Sequence, residues 1–124
     1  MLICLVGLEF NSLDFKFFKL SEFDCPCCGQ NWIDISIPKT LDLVREELGL
    51  PITVTSGYRC EKHNLEVGGK KGSFHVRGLA VDCKSTDMDK LYLLMTKYFD
   101  GVGDGRNKGF IHGDKRGYAA RWGY

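Results

Sequence analysis

The sequence predicts an α+β domain: a small antiparallel sheet carrying two main helices. Three observations point to it. Residues 37–48 and 87–99 repeat apolar side chains at helical spacing. Residues 52–55, 79–83 and 110–114 read as short strands. The order is helix, strand, strand, helix, strand, with long glycine-bearing loops between them.

At 124 residues the chain is read as one domain, 1–124, long enough to bury a core without a staple. Its 44% apolar and 27% charged content is ordinary for a soluble globular protein. The net charge of +1 sets up no strong field toward nucleic acid or membrane, so neither is an expected partner. A monomer is expected. No stretch approaches the roughly 18 apolar residues of a membrane helix.

The first 17 residues read as an N-terminal strand or tail. Their apolar opening, Met1 to Leu8, lacks a basic leader and a small-residue cleavage site, so no signal peptide is predicted and the protein is made in the cytoplasm. Residues 12–24 mix aromatic and charged side chains and suggest a short strand or an irregular packed segment. Next comes Cys25-Pro-Cys27-Cys28-Gly29, whose C-x-x-C pair resembles half of a zinc knuckle. Cys60 and Cys83 are available as further ligands. Two readings stand: a second, structural zinc at Cys25 and Cys28, or free thiols, reduced by default without export.

The first helix, 37–48, has Ser36 as candidate N-cap and Pro38 in its first turn. Leu41, Val44 and Leu48 form its stripe, and Gly49 is placed to end it in the left-handed conformation. Ile52-Thr-Val-Thr55 alternates as a strand and breaks at Ser56-Gly57, leaving Tyr58 and Arg59 near its end. Residues 60–74 read as a long loop. Leu79-Ala-Val-Asp-Cys83 is a strand with Ala80 and Asp82 on one face and Leu79, Val81 and Cys83 on the other. Thr86 with Asp89 forms a capping box for the second helix, striped by Met88, Leu91, Met95 and Tyr98. Residues 101–109 read as a glycine-rich loop. Phe110 to Asp114 is the last strand, with His112 and Asp114 on one face.

The chemistry gathers around histidines. His75 precedes Asp82 by seven residues, and Asp82 lies beside the small Ala80, which leaves room for an ion. A buried carboxylate needs a partner, and a divalent cation is a natural one. With His112, the set is two histidines and one aspartate, a three-ligand zinc site with an open fourth position. Such an ion lowers the pKa of bound water toward ~7 and so supplies a nucleophile at neutral pH. Taken singly, each histidine reads better as a satisfied structural residue than as a ligand.

Four segments then carry a resemblance: Ser56-Gly-Tyr-Arg59; Asn64 with Gly68-Gly69; Ser73-x-His75-x-x-Gly78-x-Ala80-x-Asp82; and Phe110-Ile-His112-x-Asp114. From about Phe18 to Trp122 the chain resembles the zinc D-alanyl-D-alanine carboxypeptidase family. That family includes phage endolysin L-alanyl-D-glutamate peptidases and murein endopeptidases, and it shares a fold and metal triplet with the hedgehog signalling domain. The resemblance implies a hedgehog-like fold, one catalytic zinc on His75, Asp82 and His112, and a substrate-binding or transition-state role for Arg59. A planar fork of donors suits a carboxylate or a developing oxyanion. Ser73 either contacts substrate near the site or shapes the turn. Asn64 and Gly68-Gly69 read as loop architecture, and His63 is left outside the triplet.

Many relatives carry a Glu three residues before the last histidine, or a His two before it; here those positions are Gly109 and Phe110. The His-x-Asp pattern points instead to Asp114, either as the proton shuttle or as the group that orients His112. The function implied is a zinc peptidase cutting peptidoglycan stem peptides, as a carboxypeptidase or an endolysin-type endopeptidase. Without a signal peptide, the expected setting is a phage-derived enzyme acting on the wall after release. The alternative is a non-catalytic zinc domain that recognises a wall peptide or a protein partner.

Overall fold

The protein's computed structural model describes residues 15–124. The strand or tail expected over residues 1–17 falls almost wholly outside the described residues, as does Cys4. The elements are α1 (Ser36–Leu48), β1 (Thr53–Ser56), α2 (Glu61–Glu66), β2 (Ala80–Lys84), α3 (Met88–Tyr98), β3 (Gly101–Gly105), β4 (Phe110–Asp114) and β5 (Ala120–Gly123). The strands form one sheet in the order β1-β2-β4-β3-β5. All pairs are antiparallel except β3 with β5, which run parallel. The α+β class and the two main helices are as the sequence predicts, with a mixed outer pair added to the antiparallel ladder.

Alternation on the strands divides the sheet into two faces. Val81, Cys83, Val102 and Ile111 are fully buried on one face, with Ile37, Leu41 and Val44 of α1 and Leu91 and Met95 of α3. Burying each such aliphatic side chain is worth about 1.5–3 kcal/mol. At Gly113, on this same face, a Cβ would come 2.5 Å from the Met95 methyl carbon. The bare Gly113 position lets the Met95 and Phe99 side chains pack closely onto β4.

Several boundaries differ from the sequence reading. Ser36 is the first helical residue of α1 rather than its cap; its N–H donates to Asp34 Oδ1 at 2.9 Å. Gly49 ends α1 at φ 73°, as predicted. Asp87, not Thr86, caps α3, and its Oδ1 accepts the Lys90 N–H at 3.0 Å. Residues 12–24 hold no described strand; Leu20–Phe23 is a single 3₁₀ turn.

Two elements were hidden in expected loops, and a third, β5, lies beyond the last expected strand. The six-residue α2 is too short to show periodicity, and it is capped by the Cys60 thiol, which accepts the His63 N–H. Strand β3 is the glycine-rich segment Gly101–Gly105. Glycine is poor in strands by propensity, but here each one makes room. Added Cβ atoms would fall 2.3 Å from Asp114 Oδ1 at Gly101, 2.7 Å from Trp122 Nε1 at Gly103 and 2.7 Å from the Phe110 ring at Gly105. Strand β5 is only four residues long, with one apolar ring in it.

Candidate metal centre

The open face of the sheet carries the site. Register places Asp82 opposite His112, Ser56 outside Asp82, Gly103 on the other side of His112, and Trp122 beyond it. Directly opposed residues in an antiparallel pair hold their Cβ atoms about 4.5–5.5 Å apart, so Asp82 and His112 meet by pairing alone. Because Gly103 has no side chain, the Trp122 ring reaches over it to lie 5.3 Å from the His112 ring.

His75 comes from the turns before β2. Ser73 Oγ accepts the His75 N–H at 3.1 Å, and the Leu79 N–H returns to the Phe74 carbonyl at 2.9 Å. Gly78 closes the turn at φ 73°, where its missing Cβ would lie 2.0 Å from the Trp32 carbonyl oxygen. Only glycine fits there on both counts. The turn brings the His75 ring edge-on to His112, with centroids 5.2 Å apart.

Hydrogen bonds fix which nitrogen of each ring faces inward. His75 Nδ1 lies 2.8 Å from the Gly57 carbonyl oxygen, which can only accept, so Nδ1 carries the proton. His112 Nε2 lies 2.7 Å from Asp114 Oδ2, another acceptor, so Nε2 carries its proton. A neutral imidazole has one N–H, and both are directed outward. His75 Nε2 and His112 Nδ1 then turn lone pairs toward Asp82 Oδ1, at 3.2 and 2.9 Å. Ligand atoms of the three residues lie within 4.8 Å of one another. Donors around a tetrahedral zinc sit about 3.4 Å apart, given bonds of about 2.0–2.1 Å. Three inward lone-pair groups, buried and mutually close, are a donor set that a divalent cation satisfies.

The electrostatics agree. Burial alone would raise the Asp82 carboxyl, but His112 and His75 draw it well below the ordinary carboxylate range. Burial would lower His112, yet Asp114 and Asp82 outweigh it and raise the imidazole above its usual value. Both shifts express one demand for positive charge at this point.

Asp114 sits behind His112 and is fully buried. Arg116 grips it through Nε to Oδ1 at 2.9 Å and Nη2 to Oδ2 at 2.7 Å. Burial pushes this carboxyl up, but Arg116 and His112 more than offset it and hold it well below the ordinary range. The Arg116 guanidinium is itself packed against the Phe74 and Trp122 rings, 4.8 and 4.6 Å from their centroids.

Arg59 stands on the other side of Asp82. Its Nη2 donates to Asp82 Oδ2 at 3.3 Å, its Nε to Ser56 Oγ at 3.1 Å and its Nη1 to Asn64 Oδ1 at 3.1 Å. Asn64, expected to be loop architecture, is thus a direct support of Arg59, and its amide also donates to the Lys70 carbonyl at 2.9 Å. Above the site opens a cleft of about 740 Å³, lined by Arg59, Ser73, His75, Asp82, His112 and Tyr124 among others. Lys70, Lys71 and Arg116 add positive charge to its walls.

Sequence reasoning overlooked Arg116, Trp122 and Tyr124. The signal was present as alternation: Trp122 and Tyr124 are two apart in an extended run, so both reach one face. His63 stays outside the triplet, as expected, grouped with Cys27 and Glu66. Of the cysteines offered as partners to Cys25 and Cys28, Cys60 joins their neighbourhood, whereas Cys83 is buried in the core on the opposite face of β2.

Comparison with curated proteins finds no match. A family profile described as peptidase M15 matches residues 16–114, a span that runs from the start of the packed N-terminal segment through His75, Asp82, His112 and Asp114. A profile match over most of the chain, on a sheet that gathers those residues beneath one cleft, shows that the chain belongs to the peptidase M15 family.

Proposed function

We propose that the chain is a zinc-dependent peptidase that hydrolyses a peptide bond in the stem peptide of peptidoglycan. The observation that carries this reading is the inward convergence of two imidazole lone pairs and a carboxylate at the floor of an open cleft. His75 Nε2, Asp82 and His112 Nδ1 would hold the ion. Zinc, when bound, supplies a Lewis acid and a water acidified toward pKa ~7.

The chain's own residues do the rest. Gly57 and Asp114 lock the two rings in the ligating tautomer, the outer support that metal-bound histidines require. Arg59, fixed by three acceptors, offers its fork beside Asp82, where a substrate carboxylate or the developing oxyanion would lie. Lys70 and Lys71 favour an acidic peptide. Of the two roles open to Asp114, orientation of His112 is the better supported. Both its oxygens are engaged by Arg116, and full burial keeps it from the cleft.

One observation favours a second reading, binding without turnover. Among the described residues lining the cleft, Asp82 is the only carboxylate, so no separate acidic base stands over the site. A defined muropeptide separates the two. Zinc-loaded protein should release products visible by mass spectrometry, and their masses identify the bond cut; Asp82→Ala should release none. Intact muropeptide after prolonged incubation at zinc saturation, with binding retained, would overturn the hydrolase reading in favour of the second.

A further inference from the structure

We propose that Cys25, Cys27, Cys28 and Cys60 hold a second, structural zinc ion, separate from the histidine site, that staples the Cys25 turn to the segment bearing Arg59. Its existence does not depend on the hydrolase reading; only its relevance to substrate binding does.

The sulfur geometry is the main argument. Cys25 Sγ and Cys60 Sγ are 3.7 Å apart, and Cys60 Sγ and Cys27 Sγ 3.9 Å. Thiolates around a tetrahedral zinc, with bonds of about 2.3 Å, lie about 3.8 Å from one another. A disulfide would need about 2.05 Å. The sulfurs of Cys25, Cys27 and Cys60 all lie within 4.8 Å of each other, and Cys28 follows in the same turn, three residues after Cys25.

The backbone is arranged for thiolates. The Cys60 N–H points at Cys25 Sγ and the His63 N–H at Cys60 Sγ, each at 3.4 Å. The Cys25 turn is closed by Gly29 N–H to the Cys25 carbonyl and Cys25 N–H to the Gln30 carbonyl, both at 2.8 Å, with Gly29 at φ 74°. A divalent ion lets each thiol release its proton to solvent and ligate.

The consequence reaches the cleft. Residues 57–60 already press on the N-terminal segment: a Cβ at Gly57 would fall 2.6 Å from the Phe23 backbone, and the Tyr58 N–H donates to the Phe23 carbonyl at 2.9 Å. Arg59 thus lies between a backbone anchor at Tyr58 and a sulfur anchor at Cys60. Closing the loop from residue 25 to residue 60 with a metal fixes that arginine's backbone from both sides.

The test counts zinc in the full chain, purified under reducing conditions. Wild type should carry two zinc ions, and His75→Ala/His112→Ala one. Adding Cys60→Ser to that variant should remove the last ion, and so should Cys28→Ser, whereas His63→Ala should keep it. Cobalt in the His75→Ala/His112→Ala chain should show the near-ultraviolet thiolate-to-metal absorption, a readout needing no folded cysteine variant. A His75→Ala/His112→Ala chain that binds no metal, cobalt without that absorption, or zinc retained by Cys28→Ser would overturn the four-thiolate site. Two bound zinc ions with no peptidase activity would leave this inference standing and remove only the proposed function.

Discussion

Replacing Asp114 with asparagine separates the two roles open to that residue. The amide keeps one oxygen to accept the His112 Nε2–H, so the ring orientation survives, but the negative charge behind the ring is gone. If Asp114 orients and polarises His112, zinc affinity should fall about 10- to 100-fold, the usual cost of losing such an outer partner. That is about 1.4–2.8 kcal/mol, at 1.4 kcal/mol per tenfold. Arg116, whose side chain is 16% exposed, also loses its anionic partner. Breaking a buried pair costs at most about 3–5 kcal/mol, and the stacking of Arg116 on Phe74 and Trp122 remains to soften that loss. Zinc affinity by chelator competition, and turnover at saturating zinc, are the two assays. The orientation role predicts weaker zinc binding, with kcat recovering to within about tenfold of wild type once zinc is saturating. A general base predicts the reverse: unchanged zinc affinity and kcat down about 10²–10⁴-fold. That second outcome would refute the assignment.

Other perturbations follow from the same geometry. Gly101→Ala drives a methyl group into the Asp114–Arg116 pair, which should cost about 1–3 kcal/mol in urea unfolding and weaken zinc binding alongside. Ile111→Ala empties a fully buried position between sheet and helices and should cost about 2–5 kcal/mol while leaving zinc stoichiometry unchanged. Arg59→Lys keeps a charge but loses the fork shared among Ser56, Asn64 and Asp82, so kcat/KM should drop while metal content stays at the wild-type value. Acidification tests Asp114 directly. Its native pKa lies below the unfolded value of about 3.9, so its stabilisation is complete above that pH and is lost as pH falls through the native pKa. Urea midpoints measured from pH 5 downward should therefore fall less steeply in Asp114→Asn than in wild type.

What the sequence revealed and what it concealed have separate physical causes. Strands β2 and β4 were legible because period-two alternation puts apolar residues on one face and Asp82, His112 and Asp114 on the other. Helices α1 and α3 were legible through their apolar stripes. Strand β3 was not, because its three glycines are selected by close neighbours from distant parts of the chain, information that no local pattern contains. The same holds for Arg116: its value lies in gripping Asp114 between aromatic rings, and in the sequence it is one more surface cation. Asn64 read as loop because α2 is a single short helix whose cap is a cysteine. The cysteine turn was half legible: spacing pointed to Cys25 and Cys28, but only the fold brings Cys60 to them.

His75 Nε2, Asp82 and His112 Nδ1 are assigned to share one ion. X-ray diffraction from zinc-saturated crystals, collected on both sides of the zinc absorption edge, tests this directly. The predicted result is an anomalous peak within coordination distance of all three side chains at the floor of the cleft. Zinc-saturated crystals with no peak there, or with the three side chains bonded only to one another, would contradict it.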